Sequence, residues 1–526
     1  MRSLIRNSVA ALFPCMCALA FSGCSVLDTA PEVEIDVGRV HGSLMDGVQS
    51  YKGIPFVAPP VGELRWQPPQ PIEPWEGVLQ ATEYSPFCPQ NDDKYLWFEL
   101  TEISEDCLSL NVLTTAANTE AKLPVMVWIH GGGYVNGSGN IPRLNSTAIP
   151  KQGVVLVTIN YRLTLLGFMT HPALATGDPD QPQGNYGILD IIESLKWVQR
   201  NISAFGGDPD NVTIFGESAG AGFVNFLMVS PKSEGLFHRA ISESSSVGVA
   251  PDPYIDRRAG FLPAANSVGM AFAERLGIDN HDRSSPEVAA ALRAVSIEKI
   301  LATLEPQDRF TPVVEGVVLP DQVGELLATG RQKKVPYMTG GNNWEASLGR
   351  AIGGGFSPEF AGKLVPKADK ERLYAGLSGE ALDDQIFGDL IVHSGSRYFA
   401  ERMFKRGAPV YRYYLTYLAE ARRDTQPGVA HTDDIAFVMQ TLHEEDLNII
   451  TSRDWEISRL MGAYWVQFAK TGNPNRGDLP EWPAFDDQKG SVLEIGDEIR
   501  PLEYPLEDRV QFHMNRGLGL MQKARK

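Results

Sequence analysis

One pentapeptide limits what this chain can fold into. Gly216-Glu217-Ser218-Ala219-Gly220 stands between the apolar run Val212-Thr213-Ile214-Phe215 and the helically spaced Phe223, Phe226 and Leu227. A run of that length, rich in β-branched and aromatic residues, is a strand buried on both faces. A serine where a strand passes straight into a helix sits on a tight turn, and small residues flank it because side chains there would clash. The turn exposes the hydroxyl at the carboxyl end of a sheet. It also aims the Ala219 N–H and the helix amino terminus at any oxyanion that develops beside it. The five letters alone recur by chance in long chains; with strand and helix where the turn requires them, they mark Ser218 as a nucleophile.

The rest of the chain repeats that alternation. Further apolar runs occur at Val125 to Ile129, Val154 to Ile159 and Val410 to Leu415, and Ile188, Leu189, Ile191, Ile192, Leu195, Trp197, Val198 and Ile202 recur at helical spacing. Strands alternating with helices predict a doubly wound α/β fold, with a helix over 187–203 packed on the sheet. The prolines of 52–75 predict an extended, ordered wrap. The stretch 255–310 is helical in pattern and carries no strand run, so it reads as a helical insertion over the sheet, walling a substrate gorge. At 526 residues the size prior is about three domains, though large α/β proteins often exceed it as one unit.

The strand 125–129 ends in His130-Gly131-Gly132-Gly133-Tyr134. Three glycines after a buried strand let the backbone N–H groups of Gly132 and Gly133 turn inward, which a second oxyanion donor requires. A phosphate loop is the rival, but no Lys-Ser/Thr follows and the formal charge is −18. That charge also argues against nucleic acid as a partner. No metal and no cofactor is called for.

At the amino terminus Arg2 and Arg6 precede the apolar Val9 to Phe21 and then Ser22-Gly23-Cys24. This is a signal peptide over 1–23, too short to span a membrane. Cysteine directly after Ser-Gly resembles a bacterial lipobox, with Cys24 lipidated. Phe21 is unusual three places before such a cysteine, and plain cleavage is the other reading. The expected site is periplasmic or on the cell envelope, or else secreted, with membrane contact only through Cys24 and a short linker at 24–32. Cys15 and Cys17 fall in the leader. Cys88 and Cys107 then pair as a disulfide in an exported chain, two free buried thiols being the alternative.

The chain resembles the type-B carboxylesterases, the family of cholinesterases and para-nitrobenzyl esterases, over roughly residues 33–520, as an exported bacterial member. The carriers are Gly53-Ile54-Pro55-Phe56 with Leu64-Arg65-Trp66, Glu105-Asp106-Cys107-Leu108, the His-Gly-Gly-Gly-Tyr run and Asn185-Tyr186-Gly187. The fullest match runs from Phe205-Gly206-Gly207-Asp208-Pro209 through the serine pentapeptide, followed later by Asn473-Pro474 and Trp482-Pro483. The resemblance implies the α/β-hydrolase fold, with a central mostly parallel sheet flanked by helices and helical insertions forming a gorge.

It also implies a Ser, Glu, His order. Glu345 lies a little over a hundred residues past Ser218, after Tyr337-Met338-Thr339 and a Gly340-Gly341-Asn342-Asn343 turn. Of the four histidines beyond it, His393, His443 and His513 fall in a helical pattern, a charge run and the terminal helix; His431 stands at the family's position. Thr432 and Asp434 replace the Gly and Glu that usually follow. Ser218, Glu345 and His431 would then cleave a small-molecule ester through an acyl-enzyme, with Gly132, Gly133 and Ala219 as the oxyanion hole. Glu217 is a pocket candidate, with a structural role as its alternative, and Arg65 and Glu105 match a buried ion pair of the family. An amidase or carbamate hydrolase would use the same triad. A non-catalytic, adhesion-type relative would lack the serine. Tyr95, Trp97 and Phe98 stand where cholinesterases carry a choline-stacking aromatic.

Overall fold

The computed structural model describes residues 29–91, 98–178, 180–282, 284–305 and 308–525. The segment expected to be a leader, Cys24, Tyr95 and Trp97 lie outside the described residues. The chain lays down β1 (Thr29–Ile35), β2 (Gly38–Met45), β3 (Val48–Pro55), β4 (Val78–Gln80), β5 (Ser109–Thr114), β6 (Leu123–Ile129) and β7 (Val155–Ile159). It continues with β8 (Gly207–Glu217), β9 (Arg239–Glu243), β10 (Tyr337–Asn342), β11 (Val410–Leu415), β12 (Val492–Ile495) and β13 (Ile499–Leu502). Among the described residues these 13 strands form one sheet, ordered β1-β2-β3-β5-β7-β6-β8-β9-β10-β11-β12-β13, with β4 beside β2.

From β7 to β12 every neighbouring pair is parallel. The amino-terminal pairs β1/β2, β2/β3, β3/β5 and β5/β7, and the terminal β12/β13, are antiparallel. The mostly parallel, helix-flanked sheet is the one the apolar runs predict. β7, β10 and β11 are buried at every position, as strands covered on both faces must be.

Side chains of β6 divide between two cores at the period of a strand. Val125, Val127 and Ile129 pack with Ile188, Ile191, Leu195 and Val198 of the helix Tyr186–Asn201. Met126 and Trp128 pack with Tyr464, Trp465 and Phe468 of the helix Ser452–Thr471. Each such aliphatic side chain contributes roughly 1.5–3 kcal/mol by leaving water, so the centre of the sheet is also its best-held part.

Three differences from the expectations stand out. β1 begins at Thr29, inside the stretch expected as a linker, because it pairs with β2 and the Tyr51 hydroxyl donates to the Pro31 carbonyl. The last helix, Glu507–Arg525, runs past 520. The start of the proline-rich wrap belongs to β3, which ends at Pro55.

The stretch 255–310 carries the helices Ala265–Arg275, Pro286–Arg293 and Ile297–Thr303. It is tied to the wrap through Arg65, which donates to the carbonyls of Arg293 and Val295 and holds Glu105 with two bonds of 2.7 and 2.5 Å. A second helical insertion, not singled out by the periodicity, runs from Ala346 to Lys405 between β10 and β11. Among the described residues no helix is long and apolar enough to cross a membrane.

Candidate active site

β8 ends at Glu217 and the helix Ala219–Val229 begins at once, leaving Ser218 as the single residue of the turn. Its φ of 57° and ψ of −120° lie where a side chain is strained. The turn is held from both sides: the Ser218 N–H donates to the Glu243 carbonyl, and its own carbonyl accepts from the Gly222 N–H. The flanking glycines are a packing requirement. A Cβ on Gly216 would stand 2.4 Å from the Ile129 carbonyl oxygen, and one on Gly220 only 2.0 Å.

The other two loops arrive from β10 and β11, on the same end of the sheet. Glu345 follows β10 and opens the helix Ala346–Ile352, and His431 precedes the helix Asp433–Met439. Ser218, His431 and Glu345 come together: His431 Nε2 lies 2.8 Å from Ser218 Oγ, and His431 Nδ1 lies 2.6 Å from Glu345 Oε2. Ser218 is half-buried, while Glu345 and His431 are only 1% and 8% exposed. The other Glu345 oxygen accepts from the Ser244 hydroxyl and the Asn342 N–H, both at 2.7 Å. The His431 N–H donates to Ser347 Oγ. Ser244, Asn342 and Ser347 carry no motif, and the sequence offered no signal for them.

Electrostatics around the imidazole favour its charged form. Burial opposes a proton on His431, but the carboxylates of Glu217 and Glu345 outweigh it and push the group up to about 9. Burial would raise Glu345, yet His431 beside it and the Asn342 N–H hold it below its ordinary value. Glu217 points at the same nitrogen, its Oε1 3.2 Å from His431 Nε2, and burial pushes its carboxyl up to about 8. Glu243, which accepts from the Trp465 indole, and Asp434, which accepts from the Tyr413 hydroxyl, are fully buried behind it and raised by that burial.

Across from the serine, Gly132 and Gly133 adopt φ of 107° and 63°, beyond the range that side chains tolerate well. The Gly132 carbonyl accepts from the N–H groups of Val135 and Asn136, which turns the peptide tightly. A Cβ on Gly131 would lie 3.2 Å from Ser218 Cβ, so the glycine loop sits directly against the elbow. Ala219 opens the elbow helix and is 5% exposed.

The remaining candidates fall elsewhere. Cys88 and Cys107, 19 positions apart in the sequence, form a disulfide. Phe98 stacks on Phe87 at 5.4 Å. His513 is paired with the Tyr374 hydroxyl, and His443 is exposed beside Glu444. His393 lies in a π-helical turn, Asp389–His393.

A nucleophile elbow after a central parallel strand, with a histidine and an acid delivered by later strands, defines a serine hydrolase of the α/β-hydrolase class. The sequence matches the model of the carboxylesterase family over residues 29–357 and 369–513, and the chain belongs to that family. It is 35% identical over 494 residues to a fumonisin B1 esterase of Sphingopyxis macrogoltabida, covering 88% of this chain and 86% of that one. It is 36% identical over 509 residues to a cocaine esterase of Homo sapiens, covering 86% and 85%. Among solved structures a para-nitrobenzyl (PNB) esterase matches with a TM-score of 0.78 at 31% identity, covering 91% of this chain and 98% of that one. A carboxylesterase of Geobacillus stearothermophilus matches with a TM-score of 0.77, also at 31% identity, covering 92% and 99%. The protein is a carboxylic ester hydrolase.

Proposed function

We propose that hydrolysis proceeds through an acyl-enzyme on Ser218, with His431 as base and Glu345 as its partner. The observation that carries this is the unbroken chain from Ser218 Oγ to His431 Nε2 and from Nδ1 to Glu345, at 2.8 and 2.6 Å. His431 takes the hydroxyl proton as Ser218 attacks the ester carbonyl, and Glu345 fixes the ring and stabilises its charged form. The N–H groups of Gly132, Gly133 and Ala219 receive the tetrahedral oxyanion; removing one such donor elsewhere costs roughly 10²–10³ in rate. The alcohol leaves with the proton from His431. Water, deprotonated by the same nitrogen, then releases the acid. Ser218→Ala should abolish turnover of a short para-nitrophenyl ester and labelling by a fluorophosphonate; unchanged turnover would sink the assignment.

A panel of acyl chain lengths and alcohol groups, read as kcat/KM, ranks the esters this site accepts. We also assign residues 1–23 as an export leader and Cys24 as the lipid-bearing residue of a single hydrolase domain. That assignment is supported by the order of basic, apolar and small residues. Incorporation of labelled palmitate that survives Cys24→Ser would overturn it.

A further inference from the structure

The glycine loop at the site has little conformational preference of its own. Gly131, Gly132 and Gly133 follow one another, and a run without Cβ atoms must be held by its surroundings. Past the loop, the side chain of Asn160 accepts from the Gly139 N–H and the Ser138 hydroxyl, anchoring the exit to the end of β7. At Gly137 the anchor comes from outside the sheet. Gln90 Oε1 accepts from the Gly137 N–H at 2.9 Å, and Gln90 Nε2 donates to the Gly137 carbonyl at 3.0 Å. The same Nε2 donates to the carbonyl of Cys88 at 3.0 Å. Gln90 is 1% exposed, and its whole amide is spent on these contacts. Gly137 itself lies under the start of the loop: a Cβ there would stand 2.5 Å from the Gly131 carbonyl oxygen and 2.4 Å from His130 Nδ1. One side-chain amide therefore grips both polar groups of the residue on which the loop closes.

We propose that Gln90 is a positioning residue for ester hydrolysis, holding the Gly132 and Gly133 N–H groups at the oxyanion from the disulfide-closed segment. The inference rests on the oxyanion assignment made above. Nothing in it requires Gln90 to touch substrate. Its effect is confined to states that carry the oxyanion, because a loop displaced by about 1 Å forfeits up to about 10²-fold in rate while leaving ground-state contacts in place.

The test compares wild type with Gln90→Met, which keeps the length but no hydrogen bond, and Gln90→Glu, which keeps an acceptor for the Gly137 N–H. The readouts are kcat and KM for para-nitrophenyl butyrate, the inhibition constant of an alkyl trifluoromethyl ketone, and the thermal midpoint. The ketone adds to Ser218 as a hemiketal whose oxyanion needs the same N–H groups. Gln90→Met should lower kcat about 10- to 100-fold with KM within about two-fold, and weaken the ketone by the factor lost from kcat. Gln90→Glu should lose less of both. Loss of thermal stability with kcat and ketone affinity unchanged would make Gln90 merely structural and overturn the proposal. If Gln90→Met fails to fold, unchanged kcat and ketone affinity in Gln90→Glu overturn it equally. A wild-type enzyme that forms no hemiketal would overturn the oxyanion assignment itself, and this proposal with it.

Discussion

At the scale of single residues the site is a contest over one proton. His431 has two carboxylates against its ring, Glu345 at Nδ1 and Glu217 at Nε2, and both stabilise the imidazolium. A base must be neutral to act, so kcat/KM should rise with pH through a midpoint well above the ordinary imidazole value, toward about 9. Glu217→Gln removes the carboxyl that becomes the second negative neighbour once it ionises, at about 8. The imidazolium is then less stable, and the midpoint should move to lower pH; a pH profile of kcat/KM that shifts upward or stays put would refute the role given to Glu217. Glu345→Gln keeps the shape but not the charge, leaving the imidazole without its partner. It should lower kcat by about 10³-fold or more, measured on the same ester.

Among the elements, the turn from β8 into its helix is the most constrained by geometry. Gly220→Ala would drive a Cβ to 2.0 Å from the Ile129 carbonyl oxygen, which belongs to the neighbouring strand and cannot move cheaply. The expected result is a loss of about 3 kcal/mol or more in urea denaturation, with activity falling alongside. This turn was legible in the sequence because its requirements are local: a strand, a serine among small residues, a helix. β6 and β7 were legible for the related reason that burial on both faces leaves apolar runs, β11 as a run interrupted only by Arg412, and β10 only over Tyr337-Met338-Thr339. β1, β2 and β13 were not, since half-exposed strands carry Glu, Arg and Ser between their apolar positions. β9 was hidden by Arg239, Ser242 and Glu243, polar residues the interior accommodates with specific partners. The partners of Glu345 were beyond reach as well. Ser244 lies 101 residues from it, and only the completed sheet brings the two together.

For the whole molecule, the amino-terminal wrap is fastened by charges rather than by periodic packing. Arg65 and Glu105 form a nearly enclosed pair, with 8% and 10% of their side chains exposed. Arg65→Ala would strand Glu105 and should cost about 3–5 kcal/mol of unfolding free energy, whereas replacing both with apolar residues of similar volume should recover much of it. The disulfide acts on the same region by limiting the unfolded chain. A Cys88→Ala, Cys107→Ala double variant should lose about 3 kcal/mol, read from the denaturation midpoint at constant slope.

The order in which the three site residues are translated has a consequence of its own. His431 stands 213 residues after Ser218 and 86 after Glu345, on a loop following β11, and β11 is flanked on its outer side by β12 at Val492–Ile495. A growing polypeptide therefore carries its serine for 213 residues, and its acid for 86, before the base is made, and still lacks the strand that covers the base's support. Hydrolysis can begin only when the chain through β12, Val492–Ile495, has left the ribosome. Until then the enzyme is latent by topology.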